Sequence, residues 1–385
     1  MTAGRTRVGF LSTYPPTQCG LATFTAALTE HMGGPAAGVG VVRVVDSPQP
    51  PPAPEVVGQL VNGSASSARS AATLLDGFDV VVVQHEYGIF GGPDGRDVLA
   101  LVDSLAAPVV VVLHTVLVDP STSQREILLH LMARAAHLVT MTETARDRLL
   151  EHYAADPAKV SVVQHGAPDH RDVGPVVRAA LPADRRPTVL TWGLLGPGKG
   201  IEWAVEAMPA LRDLHPRYLV LGRTHPKVLE HSGDVYRQDL LRRAAENGAD
   251  DLVEFDASYL DVARLARVVA AADVVLLPYD SREQVTSGVL IEAVAAGRPV
   301  VSTAFPHAVE LLGDGTGLLV PREDPAAIAA ALRRVLTEPG TAARMTRLAE
   351  AKAPELVWPA VAARYREIAA AVAGRTTSAD VATAS

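Results

Sequence analysis

Short β-branched runs alternate with Ala- and Leu-rich helical patterns along most of this chain, and a polar, Pro-rich stretch at 166–186 parts them into two series. The runs are apolar at nearly every position, not at every second one. These observations predict an α/β protein of two Rossmann-like, doubly wound parallel-sheet domains. A run without alternation belongs to a strand covered on both faces. Strand–helix alternation builds βαβ units. The first series places strands at 8–12, 39–45, 80–84, 109–113, 138–142 and 160–165. The second places them at 188–192, 217–221, 252–255, 274–278, 300–303 and 317–320. The expected domains are 1–170 and 186–353, then a helix over 354–373 and a flexible Thr/Ser/Ala-rich tail over 374–385.

With 385 residues, 48% of them hydrophobic and 20% charged, the chain can bury large cores. A net charge of −8 without a basic stripe argues against nucleic acid as a partner. Cys19 is the only cysteine, so no internal disulfide forms, which suits a reducing cytoplasm. The start runs from two arginines straight into a strand, so no signal peptide is expected. No apolar run approaches the roughly 20 residues that span a bilayer, so no stable membrane anchor is expected. The proline cluster at 48–54 marks a loop, and 46–67 has little pattern.

In doubly wound sheets ligands bind beyond the carboxyl ends of the strands. After the first strand comes TYPPTQCG. Gly20 there either lets a phosphate approach helix N–H groups or simply serves a tight βα turn. After the third comes QHEYGIFGG, where His85 and Glu86 form either a site wall or ordinary structure. Their spacing does not suit zinc. His114 follows the next strand and faces the expected crevice, where a neutral imidazole can meet a sugar hydroxyl. His165 sits where the chain leaves the first domain, as a site residue or a linker residue.

In the second series, GLLGPGKG puts Lys199 between Gly198 and Gly200, ahead of a helix. A cation on a Gly-rich loop suits a diphosphate; a solvated loop lysine is the plainer alternative. Arg223 and His225 follow the next strand. SREQVTSGVLIEAVAAGRPVV carries Gln284, Thr286, Ser287, Gly288, Val289 and Glu292 into a helix. Such a helix start can hold an anion or a sugar, or be a plain strand-to-helix joint. No G-x-G-x-x-G or P-loop occurs, which disfavours a dinucleotide cofactor. No Asp-x-Asp metal motif sits at a strand end.

Together these segments resemble the GT-B retaining glycosyltransferases of family 4, over nearly the whole chain. YPPTQCGLATF resembles the family's first loop near the donor phosphates, and LHT puts His114 at its strand-end histidine, which contacts the donor sugar. GLLGPGKG resembles its G-R-x-x-x-x-K-G loop, and SREQVTSGVLIEAVAAGRPVV its E-x7-E segment. Two positions depart from the pattern: Gln284 stands for the first glutamate, and Leu194 for the arginine. The resemblance implies two domains facing a central crevice, with the final helix packing back on the first.

It further implies transfer of a hexosyl unit from a nucleotide diphosphate sugar to a carbohydrate or small-molecule acceptor hydroxyl. The anomeric configuration would be retained, with no metal and no cofactor beyond the donor. His114, Lys199 and Gln284 would be catalytic. Gly20, Gly198, Arg223, Thr286, Ser287, Gly288, Val289 and Glu292 would bind the donor, with Glu292 on its helix's first turn. His85, Glu86 and His165 would lie on the acceptor or sugar side. The alternatives are a sugar-nucleotide epimerase of the same architecture, with His85 and Glu86 near its base, or a binding-only relic of a transferase. A sugar phosphorylase is a third.

Overall fold

The first parallel sheet has seven strands in the order β3-β2-β1-β4-β5-β6-β7. They are β1 Val8–Ser12, β2 Val39–Val45, β3 Val56–Val61, β4 Val80–His85, β5 Val109–Leu113, β6 His137–Thr140 and β7 Val160–Val162. The second sheet has six, in the order β10-β9-β8-β11-β12-β13. These are β8 Thr188–Trp192, β9 Arg217–Leu221, β10 Val253–Asp256, β11 Val274–Leu277, β12 Val300–Thr303 and β13 Gly317–Val320. Both orders grow outward from the first strand in each direction, as doubly wound sheets do. The computed structural model describes residues 5–182, 185–258 and 260–383, with side chains to residue 375.

Apolar runs become central strands because helices cover both faces of each sheet. All residues of β1, β4 and β5 are buried. The 46–67 region hides a strand that its pattern does not announce. In β3 only Val56 and Leu60 are buried, Gly58 and Gln59 interrupt the run, and the strand lies at the sheet edge.

The chain divides into two units, 1–166 with 358–385, and 167–357. The first boundary therefore falls before residue 170. Residues 167–170, expected in the first domain, and 171–182, expected between the domains, belong to the second unit. Their helix Val173–Ala179 packs on the helix Val262–Ala271, and Ala167 N–H donates to Leu356 O at 2.8 Å.

The helix expected at 354–373 is also divided. Pro354 lies inside the helix Pro339–Leu356, Val357 is extended, and a new helix Trp358–Thr383 begins with Pro359 in its first turn. Proline suits that position because its missing N–H is unpaired there anyway. The Ala-rich sequence carries this helix through Thr383, into the stretch expected as a flexible tail; residues 384–385 of that tail lie outside the described residues. Trp358, Val361, Ala362, Tyr365, Ala369 and Val372 join the first unit's core.

Candidate active site

The carboxyl ends of β4 and β5 gather the first unit's polar groups. His114 Nε2 lies 2.6 Å from Gln84 Oε1, and its backbone N–H donates to His85 O at 3.1 Å. An amide oxygen only accepts, so the His114 proton sits on Nε2 and Nδ1 is left as an acceptor. Burial pushes the His114 imidazolium down to about 3, helped by His165 and His85. It is neutral at pH 7. Glu86 accepts from Thr115 Oγ1 at 2.5 Å and from Tyr87 N–H at 3.0 Å.

Phe24, on the helix Gly20–His31, sets its ring 5.1 Å from His114 and 5.0 Å from His165, both edge-on. His165 Nδ1 donates to Gly166 O at 2.7 Å, and its ring lies 5.6 Å from Trp358. The expected acceptor-side role thus meets a ring already engaged in packing. His85 was expected on a site wall but is 1% exposed, because β4 extends through it and turns its ring inward against Tyr87. Both of its ring nitrogens are buried without a hydrogen-bond partner among the described residues. Gly20 begins its helix with open space where a Cβ would stand, and Cys19 Sγ caps that helix by accepting from Ala22 N–H.

These histidines make the first unit acid-labile. Burial holds His85 and His165 down to about 4 and His114 to about 3, against about 6.5 in an unfolded chain. Their folded values are depressed, so the stability is present above pH 6.5 and is lost as pH falls toward 4. Unfolding then takes up three protons, a slope of about 4 kcal/mol per pH unit at its steepest. Urea midpoints of the first unit measured from pH 7 to 4.5 check this, and a flat profile refutes it.

In the second unit Lys199 lies on a turn between Gly198 and Gly200. Gly200 has φ +61°, and an added Cβ would lie 1.8 Å from Pro278 O, so only glycine fits. Lys199 Nζ sits 4.5 Å from the Tyr279 ring centroid, an attraction the ring face supplies. Among the described residues no carboxylate pairs with it, and burial lowers its pKa.

The helix Gly288–Ala295 starts one residue after its cap, Ser287, whose Oγ accepts from Leu290 N–H at 3.3 Å. Ser287 N–H donates to His307 Nδ1 at 2.8 Å and is therefore not available to a ligand, contrary to expectation. Among the described residues no acceptor meets the N–H of Gly288 or Val289. Thr286 Oγ1 is buried without a partner. Gln284 folds back so that its Nε2 donates to Thr286 O at 3.0 Å.

Glu292 lies on the second turn, not the first, because the helix begins at Gly288. Trp192 Nε1 donates to its Oε2 at 3.3 Å, and burial pushes the carboxyl up to about 7. A raised carboxyl stabilises the fold below about pH 4.5 and loses that contribution as pH rises through 7. Glu292→Gln should therefore stabilise the ligand-free chain above pH 7, on the order of 2–3 kcal/mol. Comparing urea midpoints at pH 5 and 8 checks it; equal effects at both pH values refute it. Arg223 is exposed; its Nε donates to Ala257 O at 3.2 Å, and it borders a groove with Trp192, Leu194 and Leu221.

Gln84, Trp192, Tyr279 and His307 escaped sequence reasoning. Gln84 and Trp192 close apolar runs and read as strand. Tyr279 follows β11 directly, a visible signal at a strand end. His307, at the start of the helix Pro306–Leu312, reaches Ser287 only through the fold.

The family model "Glycosyltransferase Family 4" matches residues 22–171, and "Glycosyl transferases group 1" matches 186–338. A D-inositol 3-phosphate glycosyltransferase of Kineococcus radiotolerans is 32% identical over 255 residues, 61% of this chain and 57% of that protein. A glycogen synthase of Mycobacterium tuberculosis is 29% identical over 247 residues, 62% of this chain and 55% of that one. The match thus spans little more than half of each of these relatives. In three dimensions Anabaena Alr3699/HepE, solved in complex with UDP, superposes with TM-score 0.76 at 14% identity, over 95% of this chain and all of that one. With a glycosyltransferase family model matching each unit and the fold in common, this chain is a GT-B glycosyltransferase, its first unit matched by family 4 and its second by group 1.

Proposed function

We propose that this chain transfers a hexosyl unit from a nucleotide diphosphate sugar to an acceptor hydroxyl, retaining the anomeric configuration and using no metal ion. The observation that carries this reading is Lys199, a half-buried ammonium without a carboxylate partner among the described residues, on a turn that only glycines can build. A diphosphate supplies the missing counter-charge.

In this reading the second unit holds the donor. Lys199 and the Gly288 and Val289 N–H groups stabilise the leaving diphosphate, where charge grows as the sugar–oxygen bond breaks. Ionised Glu292 accepts from ribose hydroxyls. The Gln284 amide meets sugar hydroxyls but carries no charge, so it is no nucleophile. Retention then follows from front-face attack. The acceptor oxygen bonds to the anomeric carbon as the phosphate oxygen leaves, and the acceptor proton passes to that phosphate. The first unit takes the acceptor, with His114 Nδ1 accepting from a sugar hydroxyl.

The single cysteine fits work in the cytoplasm. Among the described residues no helix is long and apolar enough to cross a membrane.

The test begins with a thermal-shift panel of UDP, GDP, ADP and TDP and their sugars, since ligands of the native state raise its midpoint. Turnover follows with the donor that binds, with and without EDTA, and the product's anomeric configuration is read by NMR. Stabilisation by one nucleotide sugar and EDTA-resistant transfer with retention support the reading. Binding without turnover favours the relic. An inverted product or EDTA-sensitive transfer overturns the mechanism.

A further inference from the structure

Arg43, on β2, is 3% exposed. Its Nε donates to Tyr14 O at 3.1 Å and its Nη2 to Thr17 Oγ1 at 2.9 Å. Both acceptors are uncharged. Among the described residues no carboxylate pairs with this guanidinium, and Nη1 meets no acceptor. Burying such a charge is costly unless something compensates it. Arg298, at 5% exposure, shows how the fold meets that cost elsewhere. Its Nε and Nη1 donate to Ala296 O and Ala272 O, the terminal carbonyls of two helices, and Asp273 and Glu350 act on it. Helix carboxyl ends carry negative partial charge. Arg43 has no such offset.

What Arg43 has instead is a small open pocket of about 40 Å³, lined by the 50–52 prolines and by residues of β2 and β3. Gln49 and Gln59 share its lining, and no acidic residue does. The nearby Glu55 accepts from the Tyr14 hydroxyl and does not line it. Gln59 Oε1 already accepts from Gln49 N–H at 3.0 Å, so the Gln59 amide offers its NH2 end. Free donors thus come from three side chains. The volume falls below the roughly 300–1,000 Å³ of pockets that enclose whole ligands, so this one takes a single group.

We propose that this pocket binds the phosphate group of a phosphorylated acceptor, through Arg43 with the Gln49 and Gln59 amides. Arginine is the residue suited to phosphate oxygens, and three separate donors match the three terminal oxygens of a phosphomonoester. The acceptor assignment rests on the transferase reading above; the phosphate site does not.

The first arm is equilibrium dialysis of radiolabelled inorganic phosphate against the full chain carrying Lys199→Ala, which silences the site proposed for the donor. One saturable site is expected. Arg43→Met should weaken it by about tenfold or more, the scale of one lost charge-assisted contact, and Arg43→Lys should weaken it less. Thr17→Val removes a tether of the arginine but not its charge, and should leave phosphate affinity within about twofold. No saturable binding, or equal binding in Arg43→Met with its fold intact by circular dichroism, overturns the site. If Thr17→Val loses as much as Arg43→Met, the arginine serves loop structure and the site falls.

The second arm uses the chain with Lys199 intact and compares transfer to a hexose phosphate and to the free hexose. Arg43→Met should raise KM for the phosphorylated acceptor about tenfold, leave kcat within about twofold, and spare the free hexose. Phosphate binding that depends on Arg43, without any preference for the phosphorylated acceptor, overturns the acceptor assignment and makes free phosphate the ligand. Should no acceptor be glycosylated at all, the transferase reading is what fails, and dialysis alone still decides the site.

Discussion

Lys199→Ala is expected to lower the rate of the proposed hexosyl transfer by roughly 10²–10³-fold and to leave the ligand-free melting temperature almost unchanged. The reason lies in what Lys199 touches. Among the described residues its ammonium has no ion pair, and the Tyr279 ring faces it at 4.5 Å. Burial disfavours its charged form, so removing it from the empty protein relieves a desolvation cost while losing one cation–π contact. With a diphosphate present the balance reverses, because the charge then meets one that grows in the transition state. Such an interaction acts on kcat more than on substrate binding. Lys199→Arg keeps the charge but not the reach of a point ammonium, and should recover only part of the rate. The measurements are kcat at saturating donor and the nucleotide-induced melting shift. A fall in kcat below about fivefold refutes the role. A large loss of ligand-free stability would mean the lysine serves the Tyr279 contact and little else.

Trp358→Ala should destabilise the first unit by about 3–5 kcal/mol, the range for deleting a large buried ring. Trp358 is 4% exposed, and its ring lies 5.1 Å from Phe24 and 5.6 Å from His165. Gly166 leaves the space it fills: an added Cβ there would lie 2.2 Å from the indole. Gly166→Ala is therefore damaging from the other side of the same contact. A chain of two units need not unfold in one step, so the check is hydrogen exchange at the amides of β1 and β4. Faster exchange there, with the amides of β8 and β11 unaffected, is the expected pattern. Protection equal to wild type refutes it.

Central strands were legible because burial on both faces demands apolar residues throughout, a pattern independent of the neighbours' identity. β1, β2, β5, β8, β9, β12 and β13 lie where the apolar runs put them. β3 was not legible. An edge strand with one exposed face tolerates Gly58 and Gln59, and nothing local separates it from the loop before it. The break at Val357 was missed for a related reason. Pro354 looks like a helix start in isolation, yet in the fold it rides inside a helix that ends two residues later.

The candidate site divides the same way. Strand-end position singled out His114 and, with its flanking glycines, Lys199, since the carboxyl ends of parallel strands lie together whatever the side chains are; Glu292 came from the resemblance of its segment to E-x7-E. Their surroundings were invisible. That His85 is buried against Tyr87 depends on how far β4 extends. That Ser287 N–H is spent depends on His307, twenty residues away.

The sequence by itself determined the α/β class, the two sheets and the glycine-bounded position of Lys199, because hydrophobic periodicity and backbone conformation are local. Tertiary structure alone decided protonation and availability. The same carboxyl that would be ionised in solution is pushed up to about 7 at Glu292, and the same guanidinium that would seek a carboxylate is left without one at Arg43. Desolvation and pairing are set by neighbours distant along the chain, and no local pattern encodes them.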